Sequence, residues 1–342
     1  MSSETVTTDK GRTTLSTIAD EAHVSISTVS KVLNGKGGVS ESVRARIEEL
    51  LHDYGYNQRT AKQTIRPLIE LVFYEMESPG VYEVIKGAEH VARANGLGLI
   101  VTQSGNRLHP ADDWIDDVVR RKPLGVVLNC SDLSASQKRQ LRTRNIPFVI
   151  LDPSGSPAPD VPSIGSANWT GGLLATRHLI ELGHRDIGII TGPADMLCSQ
   201  ARLSGYRSAL DAAGIPFRPE LLVPGEFLQS DGISGGTRLL SLPNPPTAIF
   251  AGSDLQALGV YEAARAKGLS IPNDLSVVGY DDLPLAQWAG PPMTTIRQPI
   301  VEMAEQATNL VLRLSSGDAP EKVRVELATD LVVRASTKPL VH

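Results

Sequence analysis

From Leu68 onward, short apolar runs alternate with longer periodic segments, and this alternation restricts the fold more than any other feature. The runs lie at 68–73, 97–101, 125–128, 148–151, 187–190, 248–250 and 276–278. Between them, residues 84–94, 112–121, 136–144, 170–182, 202–213 and 255–266 carry helical periodicity. Several of these segments close on glycine, at Gly96, Gly183, Gly214 and Gly268, where a helix end favours a left-handed residue. Strands separated by helices read as βαβ units with parallel sheets. The stretch Ser-Ala-Asn-Trp-Thr-Gly-Gly at 166–172 follows four strands, and a second series starts after it. Two sheets are therefore expected rather than one.

Residues 1–66 are different. They contain no convincing strand and end at Arg66-Pro67, where proline disfavours helix in the residue before it. Nine basic residues face eight acidic ones there, while the whole chain of 342 residues carries a net charge of −5. A nucleic-acid role must therefore come from local features rather than overall charge. With 41% hydrophobic and 21% charged residues the chain reads as globular, not disordered. No run approaches the roughly 18 apolar residues of a membrane span. The first 14 residues are polar, so no secretory signal is expected and a cytoplasmic protein is the default. Two cysteines, Cys130 and Cys198, are too few for a disulfide framework or a cysteine-rich zinc site. No cofactor is expected.

Three short helices fit the amino-terminal segment. The first covers about 16–22, with Ile18, Ala19 and Ala22 on one face. The second follows Ser25 as N-cap and turns Val29, Val32 and Leu33 inward. The third follows Ser40 and carries Val43, Ile47, Leu50 and Leu51. So tight a turn between the first two makes a helix-turn-helix, whose second helix can enter a major groove. His23 stands in the turn, where a left-handed residue is wanted, and histidine is among those that tolerate it. The plain alternative is a small structural bundle. It leaves unexplained an outer face of Ser27, Thr28, Ser30, Lys31 and Asn34, which holds hydrogen-bonding groups and one cation but no acid.

The ordered series from Ile18 to Asn34, I-A-x-x-A-x-V-S-x-x-T-V-S-K-V-L-N, closely resembles the LacI/GalR family of bacterial repressors. The resemblance implies an α-helical helix-turn-helix headpiece joined by a hinge to an α/β two-lobed domain. That domain is like periplasmic binding proteins, with two parallel-sheet, Rossmann-like subdomains. By match, Ile26, Ser27 and Lys31 would read bases: an apolar contact to a thymine methyl, and a donor to guanine acceptors. Leu15, Ser25, Thr28, Ser30 and Asn34 would hold phosphates or the fold. Residues 58–66 match the hinge, in which a leucine wedges into the minor groove; here Ile65 takes its place. The hinge departs from the pattern again at Gln58 and Arg59, where proline and asparagine are usual.

The resemblance also implies a cleft. Arg202 matches the arginine that grips the effector, where a guanidinium can fork onto vicinal hydroxyls. Asp281, at a strand end, matches the effector-binding aspartate, with Asp282 read as structural. Phe227 matches the aromatic platform, with ordinary core packing as its alternative. Ser253 replaces the usual asparagine. Asn129, Asp152, Tyr74 and Tyr82 fall where first-lobe strands and the first loop meet the cleft, with structural roles equally open. Trp288 reads as cleft rim or dimer surface.

The expected organisation is a disordered lead at 1–13, a headpiece at 14–57, a hinge at 58–66, an effector-binding and dimerisation body at 67–336, and a tail. The first lobe takes 67–164 plus 297–328, and the second takes 165–296 plus the end. The expected partners are double-stranded pseudo-palindromic operator DNA, a small-molecule effector of sugar or oligosaccharide type, and a second copy in a homodimer. No membrane partner is expected. One enzyme motif occurs, Gly232-Ile-Ser-Gly-Gly236, but Phe-Leu-Gln-Ser-Asp before it is too polar for the buried strand that a nucleophile at Ser234 needs. The expected class is a non-enzymatic repressor, and a free solute-binding protein is the other alternative.

Overall fold

The branched and aliphatic runs form strands because both of their faces are covered, which is why they read as continuous rather than alternating. In the computed structural model, residues 14–33, 35–54, 67–105, 110–130, 132–153, 161–318 and 323–340 are described. The expected lead at 1–13 and hinge at 58–66 lie outside them, as do Asn34 and Ile65. The chain divides into two units, Met1–Ile65 and Arg66–His342.

The first unit holds α1 (Leu15–Glu21), α2 (Ile26–Leu33) and α3 (Glu41–Asp53). Thr14 caps α1: the Thr17 amide donates to Thr14 Oγ1 at 3.3 Å. The helix therefore starts one residue earlier than its apolar face suggested. Ile18, Ala19, Val29, Val32 and Ile47 make its core. His23 sits at φ +54°, as the tight turn required.

The second unit continues with β1 (Leu68–Phe73), α4 (Gly80–Ala94), β2 (Gly98–Gln103), α5 (Asp112–Arg121), β3 (Gly125–Asn129), α6 (Ala135–Thr143), β4 (Phe148–Leu151) and β5 (Ser163–Ser166). Then come α7 (Asn168–Glu181), β6 (Ile187–Ile190), α8 (Leu197–Ala212), β7 (Leu222–Val223), α9 (Gln229–Leu239), β8 (Ala248–Ala251), α10 (Asp254–Ala266) and β9 (Ser276–Asp281). The chain ends through α11 (Pro284–Trp288), β10 (Thr294–Arg297), α12 (Ile300–Ser315), β11 (Arg324–Leu327) and β12 (Asp330–Val332). Two six-stranded sheets result, ordered β11-β5-β4-β3-β1-β2 and β12-β10-β9-β8-β6-β7. All pairs are parallel except β10 with β12.

Each sheet is a lobe with a core on both faces. In β1, Ile69, Leu71 and Phe73 face one core, while Val72 faces the other. Glu70 shares the second face and is fully buried; Arg121 donates to it from Nε at 3.1 Å, and Thr102 Oγ1 at 2.8 Å. Five strands carry no apolar run: β5, β7, β10, β11 and β12. In β10 the buried polar groups are satisfied sideways. The Thr294 amide donates to Ser336 Oγ at 2.8 Å, and Thr295 Oγ1 to Asp254 Oδ1 at 2.6 Å.

The chain passes between lobes at three neighbouring points: after β5, after β10 and after β11. The Ala167 amide donates to Leu327 O at 2.9 Å, and Thr329 Oγ1 to Ala167 O at 3.2 Å. These bonds tie the crossings into one hinge at the base of the cleft.

Helices α7 and α8 approach with glycine at the contact. A Cβ on Gly205 would overlap the Trp169 carbonyl oxygen, and one on Gly172 would overlap that of Arg202. Gly205→Val is expected to lower the urea midpoint by the equivalent of about 1–3 kcal/mol without changing the slope. An unchanged midpoint would contradict this close approach.

Candidate functional site

Two surfaces carry chemistry, one in each unit. In the first unit, Ser25 Oγ caps α2 by accepting from the Thr28 amide at 3.2 Å. It also bonds the Ser27 and Thr28 hydroxyls at 2.7 and 2.9 Å. Ile26 is 51% exposed on the first turn, although it is large and apolar. Ser27 and Lys31 are exposed beside it, and Thr28 and Ser30 are half-buried. Leu15 packs against the headpiece core, so its side chain serves the fold. The outer face of α2 thus offers an apolar group, hydroxyls and an ammonium, which suits base edges and phosphates.

In the second unit, the lobes enclose a cavity of about 220 Å³ at the carboxyl ends of the parallel strands. Open parallel sheets place ligands there, since the loops following the strands converge. Tyr74, Asn129 and Asp152 reach it from the ends of β1, β3 and β4. Arg202, Phe227, Ser253 and Asp281 reach it from the second lobe. Seven of the eight cleft residues expected from sequence therefore line one cavity. Tyr82 does not: it lies on α4, 66% exposed and outside the lining. The loop containing Tyr74 ends before α4 begins, and the helix carries the Tyr82 ring outward.

Arg202 is the centre of the arrangement. It is 5% exposed, and its Cζ stacks 3.7 Å from the Tyr280 ring centroid and 5.2 Å from that of Phe227. Its Nε donates to Asn168 Oδ1 at 2.8 Å, and NH1 to Gly252 O at 2.6 Å. NH1 also lies 3.9 Å from Asp281 Oδ1. Gln298 Nε2 donates to the same Asp281 oxygen at 2.6 Å. Burial pushes the Asp281 carboxyl up to about 6, against the pull of Arg202 and the Gln298 amide. Burial also raises Asp152, with Arg202 opposing.

Other expected residues are already engaged. Ser253 accepts from the Gln256 amide at 3.1 Å as the cap of α10 and donates to Phe227 O at 3.0 Å. Asn129 Nδ2 donates to Leu151 O at 3.3 Å. The Phe227 ring lies over Gly192, where a Cβ would collide with it. Asp282 pairs with Arg297 at 2.8 Å and Arg334 at 2.6 Å, a structural role. Trp288 is 80% exposed and outside the main cavity lining. Ser234 sits inside α9, with Oγ donating to Asp231 O at 3.3 Å, rather than at a strand-to-helix elbow.

Asp152, Phe227, Asp281 and Asp282 all have positive φ, at +47°, +65°, +117° and +56°. Strained non-glycine backbone gathers where function needs side chains aimed, and here it gathers at the cleft. Sequence reasoning missed Asn168, Gln298 and Tyr280. Their signal was position alone: the start of α7, the crossing after β10, and the residue before Asp281. Cys198 also lines the cavity, and burial pushes its thiol up to about 12, so it stays protonated at neutral pH.

The pattern of bacterial regulatory proteins of the lacI family matches residues 14–58, and that of a periplasmic binding protein-like domain matches 176–337. The HTH-type transcriptional repressor CytR of Escherichia coli (strain K12) is 32% identical over 333 residues, spanning 96% of this chain and 97% of that protein. This chain belongs to the LacI family. The structure of the transcriptional regulator CelR in complex with cellobiose superposes with a TM-score of 0.71 at 32% identity, covering 95% of this chain and all of that one. The lac repressor dimer bound to operator and the anti-inducer ONPF gives 0.70 at 26%, covering 95% and 99%. LacI-family proteins are transcriptional regulators, and this chain is a DNA-binding repressor of that type under effector control. No helix among the described residues is long and apolar enough to cross a membrane.

The raised Asp281 group has a consequence for stability. Between its ordinary 3.8 and about 6, the folded chain keeps a proton that the unfolded chain has released. Its contribution to stability therefore falls as pH rises through that window. Asp281→Asn is expected to remove this slope, so the change in melting temperature from about pH 4 to about pH 7 becomes more favourable than in the parent. Parallel melting profiles for the two proteins would refute it.

Proposed function

We propose that the protein represses transcription as a homodimer and that a neutral sugar in the cleft controls its grip on a pseudo-palindromic operator. Support for the DNA role comes from the face of α2, which exposes Ile26, Ser27 and Lys31 together. One headpiece reads half a site, so a symmetric operator needs two copies. Asn34 and Ile65 keep the roles implied by the family, phosphate contact and minor-groove wedge. Residues 58–66 link the headpiece at 14–57 to the body at 67–336, with the lobes divided near 164 and 297. The protein works in the cytoplasm, catalyses no reaction and needs no cofactor.

Support for sugar control comes from the cavity, where a guanidinium and carboxylates converge beneath an aromatic ring. The effector acts through its different affinities for two arrangements of the lobes, since a ligand that binds both equally shifts neither. Residues from both lobes line the cavity, so contacts to a bound sugar depend on how the lobes are set. The three crossings lie next to Asp281 through Gln298, which places the hinge one hydrogen bond from the effector.

Deleting residues 1–66 is expected to abolish operator retention in a gel-shift assay while sugar binding, followed by calorimetry, persists. Operator retention by the truncated chain would overturn the assignment. Lys31→Ala is expected to relax preference at one base pair, at a cost of roughly 1–3 kcal/mol. Equal losses on operator and random duplex would show that Lys31 only neutralises phosphate.

A further inference from the structure

We infer that the cleft selects uncharged, hydroxyl-rich ligands of monosaccharide size and rejects their phosphorylated or carboxylated counterparts. This deepens the proposed reading of the cleft as the effector site and rests on it. Three observations carry it, and none follows from membership of the family.

The first is charge. Among the described residues that line the cavity, Glu75, Glu77, Asp152, Glu226 and Asp281 bring five carboxyl groups, and Arg202 is the single cation. Glu77 and Glu226 are exposed and stand at the rim; Asp152 and Asp281 are deeper. An anion would pass the rim acids and then meet the inner pair. In a partly desolvated cleft, repulsion between like charges is screened far less than in water.

The second is the state of the one cation. Arginine captures phosphate or carboxylate by forking two parallel N–H groups onto it. One fork uses Nε with a terminal nitrogen, and the other uses both terminal nitrogens. Nε already donates to Asn168 and NH1 to Gly252 O, so each fork has one nitrogen engaged. The guanidinium face is covered by Tyr280, and Asp281 lies beside NH1. Arg202 is thus held as a structural cation with single donors left over. That suits a sugar hydroxyl and not a dianion. The surrounding carboxylates are acceptors only, and a polyol supplies the hydroxyl donors that they need.

The third is size. The cavity of about 220 Å³ is smaller than the roughly 300–1,000 Å³ typical of pockets for drug-sized ligands. A single sugar ring fits that scale better than a chain of them.

Matched pairs test the inference on the full-length protein. Ribose, glucose and galactose are compared with ribose 5-phosphate, glucose 6-phosphate, galactose 6-phosphate and glucuronate, first by thermal shift and then by calorimetry. At least one neutral sugar is expected to bind, with its anionic partner about 100-fold weaker or more. Asp152→Asn is the second measurement; asparagine accepts the positive φ at this position. This variant is expected to narrow the gap by about tenfold, because one inner charge is gone. An anionic partner that binds as tightly as its neutral sugar overturns the inference and leaves effector control standing. If no member of the panel binds, the sugar reading of the cleft falls and this inference falls with it.

Discussion

The buried guanidinium of Arg202 is the interaction on which the body depends. A charge this deep is costly unless every side of it is satisfied. Here Tyr280 covers the face, Asn168 and Gly252 accept from the nitrogens, and Asp281 supplies the counter-charge. Each of these partners comes from a different element of the second lobe: the start of α7, the loop after β8, and β9 with its end. Satisfying one side chain therefore fixes where four segments end, and those ends form one wall of the cavity.

The same group reaches the hinge. Asp281 accepts from Gln298, Gln298 bonds Ser166 Oγ, and Asn168 Nδ2 returns to Ser166 O at 3.1 Å. Together with Arg202 these side chains close a ring that includes two of the three crossings between lobes. A ligand that takes a hydrogen bond from Asp281 or Arg202 alters partners of the crossing segments directly. Coupling between cleft and hinge is then local, requiring no long path through either core. Asp254, buried beside this ring, is pushed upward by its burial and by Asp281, while Thr295 and the Leu283 amide hold its oxygens. The acidic floor is therefore a linked set rather than separate carboxyls.

Much of this was legible in the chain. The continuous runs at β1, β4 and β6 coincide with their strands because both faces of a parallel sheet are apolar. The headpiece was legible through a dense, local pattern: a core of Ile18, Ala19, Val29 and Ile47, and a left-handed His23 in the turn. The polar strands β5 and β10 were not, since their stability comes from side-chain partners distant in sequence. Ser253 shows the same limit: its hydroxyl was legible as a hydrogen-bonding group at the cleft, but its engagement with the Phe227 carbonyl spans 26 positions. Tyr82 shows the opposite error, because closeness in sequence to a cleft loop says nothing about which way the next helix turns a ring.

By itself the sequence determined the order of elements, the two series of βα units, the helix-turn-helix and the membership of a residue set at strand ends. These depend on periodicity and on turn chemistry within a few residues. Only the tertiary structure decided which hydrogen-bonding groups are open to a ligand and which are already engaged. That distinction rests on contacts between segments far apart in the chain, and it turned Arg202 from an apparent anion fork into a cation enclosed by its own protein.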